Sequence, residues 1–425
     1  MPKAPFPYIR GHSFNLKILM WLMKNQMNWI WILVALFLFG CGNGKQKESD
    51  GLIRVDVSKS YPKKELILQD LFDIEYVPLE TTDEFVTAGD VVYFDDNLMW
   101  IGNYRTDELQ LLDRQGNFIR TINRKGQSGE EYISYNALSY DPLTKEVYIS
   151  DSLGKKVIIY DTEGNFRRSF KVPERLYFEW IGDLNSEYVL CWAAVRDLPN
   201  DPNAPECQEI LSKAGFMLMS KKDGSIRKIN IPIERYASPY LFFDTPRGKV
   251  YSGFMNKTLT PYHGDWLLTE ISTDTLFLFS PDYDLKPFIV RTPSATDMNP
   301  PVYLFTGAMT DRYYFLQTVE NAYDTETGVG FTTRDLFYDK TEGEVYEYVA
   351  YNGDFTDERP LNLVCKFRST MLAVNEDDVA FVSRIDAPDL VEAYNDGKLR
   401  GPLKDIASKI DEEDNPVILI AKYKK

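Results

Sequence analysis

Few residues in this sequence have the types and spacing that chemistry requires. The 425-residue chain contains two histidines, and only His263 lies beyond the apolar N-terminal region. A histidine-rich metal site or a Ser-His-Asp triad would therefore depend on His263 alone. No phosphate-binding glycine loop, dinucleotide fingerprint or G-x-S-x-G nucleophile elbow is present. The sequence favours a non-catalytic protein, and enzymatic activity is the open alternative.

Six residues are the best candidates for ligand binding, because charged and aromatic side chains in loops between strands can hydrogen-bond to a polar ligand or stack on it. They lie in the segments NRKGQSGEEY and PYHGDW and are Arg124, Lys125, Glu131, Tyr132, His263 and Trp266. The alternative is structural: the first four would join neighbouring units of the fold through salt bridges and packing, and His263 would be solvated or packed.

The charge of the chain argues against nucleic acid as a partner. The formal net charge is −16, and residues 1–40 carry four basic residues and no acid, so the remainder is more acidic still. Affinity for nucleic acid depends on Lys and Arg side chains that neutralise phosphates. Acidity on this scale favours solubility and identifies no ligand.

The N-terminal region predicts export and lipidation. Trp29–Phe39 is a run of 11 apolar residues preceded by Lys24. This run is too short to span a bilayer and is typical of a signal peptide. The sequence Leu38–Cys41 resembles a bacterial lipobox, which implies that Cys41 is acylated and becomes the mature N-terminus. The alternative is an uncleaved membrane anchor.

We therefore predict three segments. Residues 1–40 form a signal peptide whose true start is near Met23, residues 41–64 a lipidated tether, and residues 65–425 the folded domain. No Asp stands directly after Cys41, which by resemblance to Gram-negative lipoproteins implies the outer membrane, facing either the periplasm or the cell surface.

Three cysteines remain once Cys41 is acylated. Cys191 and Cys365 lie in apolar runs, so we predict that both are core residues. A disulfide between Cys191 and Cys207 is an alternative that the sequence does not decide.

A repeated hairpin predicts the fold. Leu109–Ile122 reads LQLLDRQGNFIRTI, and Val157–Phe170 reads VIIYDTEGNFRRSF. In both copies an apolar strand ends at Asp, which can cap the turn, and Gly supplies the position with positive φ before the return strand. Looser copies follow, each preceded by further strand-like runs. Units of four strands, repeated at the spacing that separates Leu109 from Val157, are typical of a β-propeller.

Counting these units gives an all-β, six-bladed β-propeller of four-stranded antiparallel blades. The predicted units span residues 85–123, 132–171, 175–231, 238–291, 301–351 and 363–424. Leu71–Glu80 and the C-terminal PVILIAKYK are candidate ring-closing strands, since joining the two ends of a ring hides exposed edges. A short helix is expected at Pro402–Ile410. A pair of β-sandwiches is the competing fold, but it does not explain the repeat.

Four motifs carry a family resemblance. They are VPLETT at Val77–Thr82, NRKGQSGEEY at Asn123–Tyr132, the two D-x-x-G-N-F hairpins and EEDNPVILI at Glu412–Ile420. Over Leu66–Lys425 the chain resembles the six-bladed β-propeller lipoproteins of gut-type Gram-negative anaerobes. The resemblance implies a surface or periplasmic binding protein.

The leading hypothesis is a lipid-anchored binding or scaffold protein at the outer membrane, without a cofactor. Its loops at one face of the propeller would engage a glycan, a peptide or an outer-membrane protein. The alternative is a hydrolase or lyase of the six-bladed lactonase or glycan-lyase type, using a channel calcium ion or an acid pair. The chain has 64 acidic residues, but no spaced set among them identifies the ligands of such an ion.

Overall fold

The computed structural model describes residues 51–199, 201–245, 248–366, 371–374 and 378–424. The predicted signal peptide and the predicted lipidation site at Cys41 lie outside these residues. Within them, none of the helices is both long and apolar enough to cross a bilayer.

Six four-stranded units surround a central axis, which confirms the predicted six-bladed β-propeller. The first strand of each blade lies at the axis, where first strands of neighbouring blades contact one another. In order from the axis, blade 1 contains β4 to β7, at Asp90–Phe94, Leu98–Asn103, Glu108–Asp113 and Phe118–Ile122. Blade 2 contains β8 to β11, at Tyr135–Asp141, Glu146–Asp151, Lys156–Asp161 and Phe166–Lys171. Blade 3 contains β12 to β15, at Leu176–Asp183, Tyr188–Val195, Gly215–Ser220 and Ile226–Lys228.

The other three blades follow the same pattern. Blade 4 contains β18 to β21, at Leu259–Tyr262, Asp265–Leu268, Thr275–Phe279 and Leu285–Thr292. Blade 5 contains β22 to β25, at Val302–Met309, Tyr313–Glu320, Thr333–Asp339 and Glu344–Tyr351, and a short strand β26, Pro360–Leu361, pairs with β25. Blade 6 contains β27 to β29, at Met371–Ala373, Val379–Ile385 and Val417–Tyr423, and is completed by β3, Phe72–Pro78.

The position of each strand in a blade explains its sequence pattern. Strand β9 is buried on both sides between neighbouring blades, so Val147, Tyr148 and Ile149 are all core residues. The outermost strand β11 alternates partly buried and exposed residues because one face meets water. Inner strands are therefore continuous apolar runs, and outer strands follow a period of two.

The two predicted hairpin turns have the same hydrogen bonds. In blade 1 the Asp113 carboxylate accepts bonds from the backbone N–H of Asn117 at 2.9 Å and from its side-chain amide at 2.7 Å. In blade 2 Asp161 accepts the equivalent bonds from Asn165 at 2.8 and 3.0 Å. The glycine before each Asn has φ of 87° and 79°. The repeated residues are thus the ones that build the turn.

These two glycines allow a matched prediction. Alanine at Gly116 or Gly164 forces a side chain into the left-handed region, at a cost of about 1–3 kcal/mol. Only at Gly116 would the added Cβ also meet backbone, at 2.7 Å from the Pro78 carbonyl oxygen, whereas at Gly164 the nearest atom is a side-chain carbon of Ile122 at 3.3 Å. We expect Gly116→Ala to lower the melting temperature more than Gly164→Ala. Equal melting temperatures would contradict the close approach at Gly116.

The ring closes as the sequence predicts. Strand β3 pairs antiparallel with β29 over seven residue pairs, from Val417 opposite Pro78 to Tyr423 opposite Phe72. The Asn415 side chain extends this seam: its amide donates to the carbonyl oxygens of Glu80 and Phe85 at 2.7 and 3.0 Å, and its oxygen accepts from the Thr87 N–H at 2.7 Å. The first and last motifs of the family resemblance thus meet in one seam.

The predicted tether is longer than the structure allows. Instead of remaining unpaired up to residue 64, the chain adds β1, Ile53–Asp56, in parallel to the outer edge of blade 4, and β2, Lys63–Ile67, in parallel to that of blade 5. The outer strand of a blade has unpaired backbone N–H and C=O groups that can pair with another extended segment, and β1 and β2 pair with these groups in blades 4 and 5. A one-turn helix α1, Leu68–Leu71, then leads into β3.

Two predicted units differ in detail from the structure. The unit at 238–291 contains a separate hairpin of β16, Tyr240–Thr245, and β17, Gly248–Gly253, before blade 4 begins. Blade 6 is interrupted by two helices, Ala387–Asn395 and Gly401–Ala407, and the second of them confirms the expected short helix. The helices α2 to α4 span Pro205–Leu211, Ala387–Asn395 and Gly401–Ala407, and a 3-10 turn spans Ala295–Asp297.

The cysteines behave as core residues. Cys191 and Cys365 are buried as predicted, and Cys207 is buried as well. All three are free thiols in the structure, so the possible bridge between Cys191 and Cys207 is not formed.

Candidate functional site in the central channel

The predicted binding segment at residues 124–132 joins blade 1 to blade 2. The Lys125 ammonium pairs with the Asp107 carboxylate at 2.6 Å, and the Arg124 guanidinium donates to the Gly164 carbonyl oxygen at 2.9 Å. The Tyr132 ring is fully buried and its hydroxyl donates to the Asp107 carbonyl oxygen at 2.6 Å. Burial raises the pKa of Tyr132 to about 12. The Glu131 carboxylate accepts the Ser128 N–H at 2.9 Å.

These contacts are those of a joint between blades, the structural alternative considered for this segment. The hub of the joint is Asp107, which lies between β5 and β6 and also accepts the Tyr135 N–H at 2.9 Å. Ligand binding by the four residues stays a prediction.

The other two candidates lie in different places. His263 occupies the turn between β18 and β19, and its Nε2 is 3.0 Å from the Asp311 carboxylate in the neighbouring blade. Trp266 lies two residues into the next strand, and its indole packs so closely on Gly182 of blade 3 that a Cβ there would come within 2.4 Å of the ring. Trp266 lines the central channel, whereas His263 does not.

The channel contains a cavity of about 290 Å³. Its walls come from the first strands of blades 1, 2, 3, 4 and 6, so it lies on the axis of the ring. Its aromatic lining residues are Tyr93, Tyr104, Tyr135, Tyr140, Trp180 and Trp266. The tyrosines are held in pairs: the rings of Tyr104 and Tyr135 stack at 4.7 Å, and those of Tyr93 and Tyr140 meet edge to face at 5.0 Å. Such pairing holds the rings in fixed orientations.

A single lysine lies among these rings. Lys257 lies two residues before β18, and its backbone N–H donates to the Cys365 carbonyl oxygen at 3.1 Å. Its ammonium is 5.2 Å from the centre of the Trp180 ring, within range of a cation–π interaction. Removal from water lowers the pKa of Lys257, and the nearby Asp90 carboxylate opposes this shift in part.

A buried ion cluster lies beside the other end of the cavity. The Lys221 ammonium contacts the carboxylates of Asp141 and Asp183 at 2.7 and 2.6 Å, and Asp183 lines the cavity. Burial raises the pKa of Asp183 to about 6, although Lys221 works against this. Burial also acts to raise the pKa of Asp141, but its bonds to Lys221 and Thr144 outweigh that effect and hold the pKa below its usual range.

The cavity does not fit the calcium ion considered in the alternative hypothesis. Calcium takes six to eight oxygen ligands, several of them from carboxylates. Asp183, the one acid among the described residues that line the cavity, is paired with Lys221. Across the described part of the chain, no group of three or more His, Cys, Asp or Glu side chains could hold a metal ion.

Sequence reasoning found Trp266 but missed Lys257, Trp180 and the tyrosine pairs. One signal was available, because the first strand of every unit lines the axis of a propeller, and Trp180 lies in such a strand. Lys257 gives no comparable signal, since it precedes its strand in a polar segment, MNKT.

The fold is a six-bladed β-propeller with a small, aromatic-lined cavity on its axis. The chain belongs to the family described as Domain of unknown function (DUF4934), whose model matches residues 52–422. No curated protein matches the chain.

Two solved structures from Bacteroides are similar in fold. One, named as an exported protein of Bacteroides fragilis, has a TM-score of 0.59 and 15% identity, and the match covers 88% of this chain and 100% of that one. The other, a member of the DUF4221 family from Bacteroides vulgatus, has a TM-score of 0.46 and 8% identity, over 83% of this chain and 96% of that one.

Proposed function

We propose that this chain is an exported, lipid-anchored binding protein that holds a saccharide in its central channel. The observation that carries the proposal is the cavity of about 290 Å³ whose walls include Trp180, Trp266 and two tyrosine pairs. A sugar ring presents flat C–H faces together with hydroxyls, and flat aromatic side chains with polar ends suit both. A cavity of this volume is at the small end of ligand pockets and suits one or two sugar rings.

The position of the cavity supports a small ligand rather than a partner protein. Four of the six aromatic residues lie on first strands, on the inside of the ring, whereas Trp266 lies on the second strand of blade 4 and Tyr104 directly follows the second strand of blade 1. A macromolecule would reach them only through a single protruding unit, such as the end of a glycan chain.

Export and anchoring rest on the N-terminal region and on one relative. Residues 1–41 have the pattern of a lipoprotein signal peptide, and the similar structure from Bacteroides fragilis is named as an exported protein. Acylation of Cys41 would fix the propeller at the outer membrane, where a saccharide-binding channel would retain glycan fragments at the cell envelope.

Trp266→Ala tests the site. Trp266 is only half-buried, so its loss should leave the fold intact while it removes one wall of the cavity. We expect the mature chain, with Cys41→Ser to prevent acylation, to bind members of a mono- and disaccharide panel in isothermal titration calorimetry. Trp266→Ala should weaken that binding at least tenfold, which corresponds to about 1.4 kcal/mol.

Two further variants complete this test. Trp180→Phe keeps a ring in the buried wall and should weaken binding less than Trp266→Ala. Tyr394→Ala removes an exposed ring on helix α3, outside the channel, and should leave binding unchanged. The proposal fails if no saccharide in the panel binds, or if Trp266→Ala and Tyr394→Ala bind equally well.

A further inference from the structure

We infer that the saccharide in the channel is acidic and that its carboxylate pairs with Lys257. This inference rests on the proposed function, since it concerns the same cavity. It names the class of ligand, a hexuronate or a saccharide that ends in one.

The Lys257 ammonium has no counter-ion among the described residues, where no carboxylate lies within 4.0 Å of it. The acid whose charge acts on it, Asp90, is paired with the Arg384 guanidinium at 3.1 Å. Within the described part of the chain, the close contact of this ammonium is with the Trp180 ring.

The arrangement of Lys257 costs free energy. A charge held away from water without a partner is destabilising, and a bound anion of opposite charge recovers much of that cost. The lowered pKa of Lys257, which burial causes, reports the same cost. A carboxylate is the anion that a sugar ring most simply carries, and one ammonium matches its single charge.

A second polar group, from blade 2, lines the same cavity. Ser139 lines the cavity from β8, is 3% exposed, and its hydroxyl has no hydrogen-bond partner within the described ranges. Buried hydroxyls nearly always have a partner. A bound saccharide would supply one.

The two ends of the cavity differ in charge, and this difference would orient such a ligand. Asp183 lies three residues beyond Trp180 on β12, which is about 10 Å along the strand. The cluster of Asp141, Asp183 and Lys221 holds two acids against one base, so that end disfavours an anion and offers carboxylate oxygens to hydroxyl groups. The ligand carboxylate would therefore lie at the Lys257 end, with the hydroxyl-bearing part towards Asp183.

The test compares sugars that differ only at C6. The probes are galacturonate and galactose, and glucuronate and glucose, each titrated into the mature Cys41→Ser chain in calorimetry. We expect each uronate to bind at least tenfold more tightly than its neutral partner. Lys257→Met should reduce this ratio to about one, and Lys257→Arg should retain most of it.

Lys222→Met is the matched control, because Lys222 is an exposed lysine on a turn of blade 3 and its loss changes the net charge equally. It should keep the full ratio. Melting temperatures of all variants show whether each is folded.

The outcomes separate the two proposals. If neutral and acidic sugars bind equally to the wild-type chain, or if Lys257→Met keeps the ratio, the inference is overturned and the channel still binds saccharides. If neither the uronates nor the neutral sugars bind, the inference is overturned together with the proposed function. A ratio lost in both Lys257→Met and Lys222→Met would show that net charge alone is responsible, and this too overturns the inference.

Discussion

Replacement of Lys221 by methionine is expected to lower the free energy of unfolding by about 3–5 kcal/mol, the range found when one partner of a buried ion pair is removed. The Lys221 side chain is 7% exposed, and its ammonium contacts Asp141 and Asp183 at 2.7 and 2.6 Å. Methionine keeps much of the packing of the lysine stem but leaves two carboxylates facing each other without a cation. The loss is measurable by urea denaturation of the mature Cys41→Ser chain at pH 7.5.

The control for this prediction is Lys222→Met on the same turn, which should leave the midpoint of unfolding unchanged. A second measurement uses pH. Since burial raises the pKa of Asp183 to about 6, the folded state binds this proton more tightly than the unfolded state does. The stabilisation linked to that proton is present below the ordinary pKa of an aspartate and is lost as the pH rises through about 6.

Asp183→Asn should therefore flatten the fall in stability between the ordinary pKa of 3.8 and the raised pKa of about 6. If Lys221→Met and Lys222→Met unfold at the same urea concentration, the buried cluster contributes nothing, and the account of this end of the channel is wrong.

The second large effect is expected from removal of the ring-closing strand. A chain that begins at residue 81 lacks β1, β2 and β3. It loses the buried side chains of Phe72, Val77 and Leu79, and it leaves β29 with an unpaired edge. An open ring exposes apolar faces on the two blades at the break, so we expect no cooperative thermal transition in circular dichroism or calorimetry.

Complementation tests the reason for this loss. A synthetic peptide of residues 52–80, added in excess, should restore a cooperative transition, because β3 pairs through its backbone and needs no covalent link. A peptide of the same composition in scrambled order should not. A truncated chain that melts cooperatively at the wild-type temperature would contradict the closing role of β3.

Two different contacts between blades are involved, an ion cluster and a pair of strands. Lys221 joins blades 2 and 3 through charge at one end of the channel, and β3 joins the first part of the chain to the last through backbone pairing. Either loss would alter the cavity that the proposed function needs, so binding assays belong with variants whose melting temperatures are unchanged.

The hairpin turns and the closing strand could be predicted from the sequence. Asp113 and Gly116 build their turn from contacts within five residues, and Asp161 and Gly164 repeat it, so the pattern survives in the sequence as a recurring motif. The closing strand was also predictable, because a β-rich segment at each end of a ring has one place to pair. The joint at Arg124 and Lys125 was found as a motif, but its contacts with Gly164 and Asp107 became visible only in the fold.

The sequence by itself determined the repeat, the number of blades, the closing pair of strands and an N-terminal region typical of an exported lipoprotein, because each of these depends on neighbours in the chain or on composition. Only the tertiary structure decided which side chains face the axis. Trp180, Lys257 and Trp266 come from separate segments and meet because the curvature of the ring brings the strands of blades 3 and 4 together. The tertiary structure also decided that β1 and β2 cover blade edges. Such pairing depends on which edge strand lacks a neighbour in the fold, and not on the residues of the strand that pairs with it.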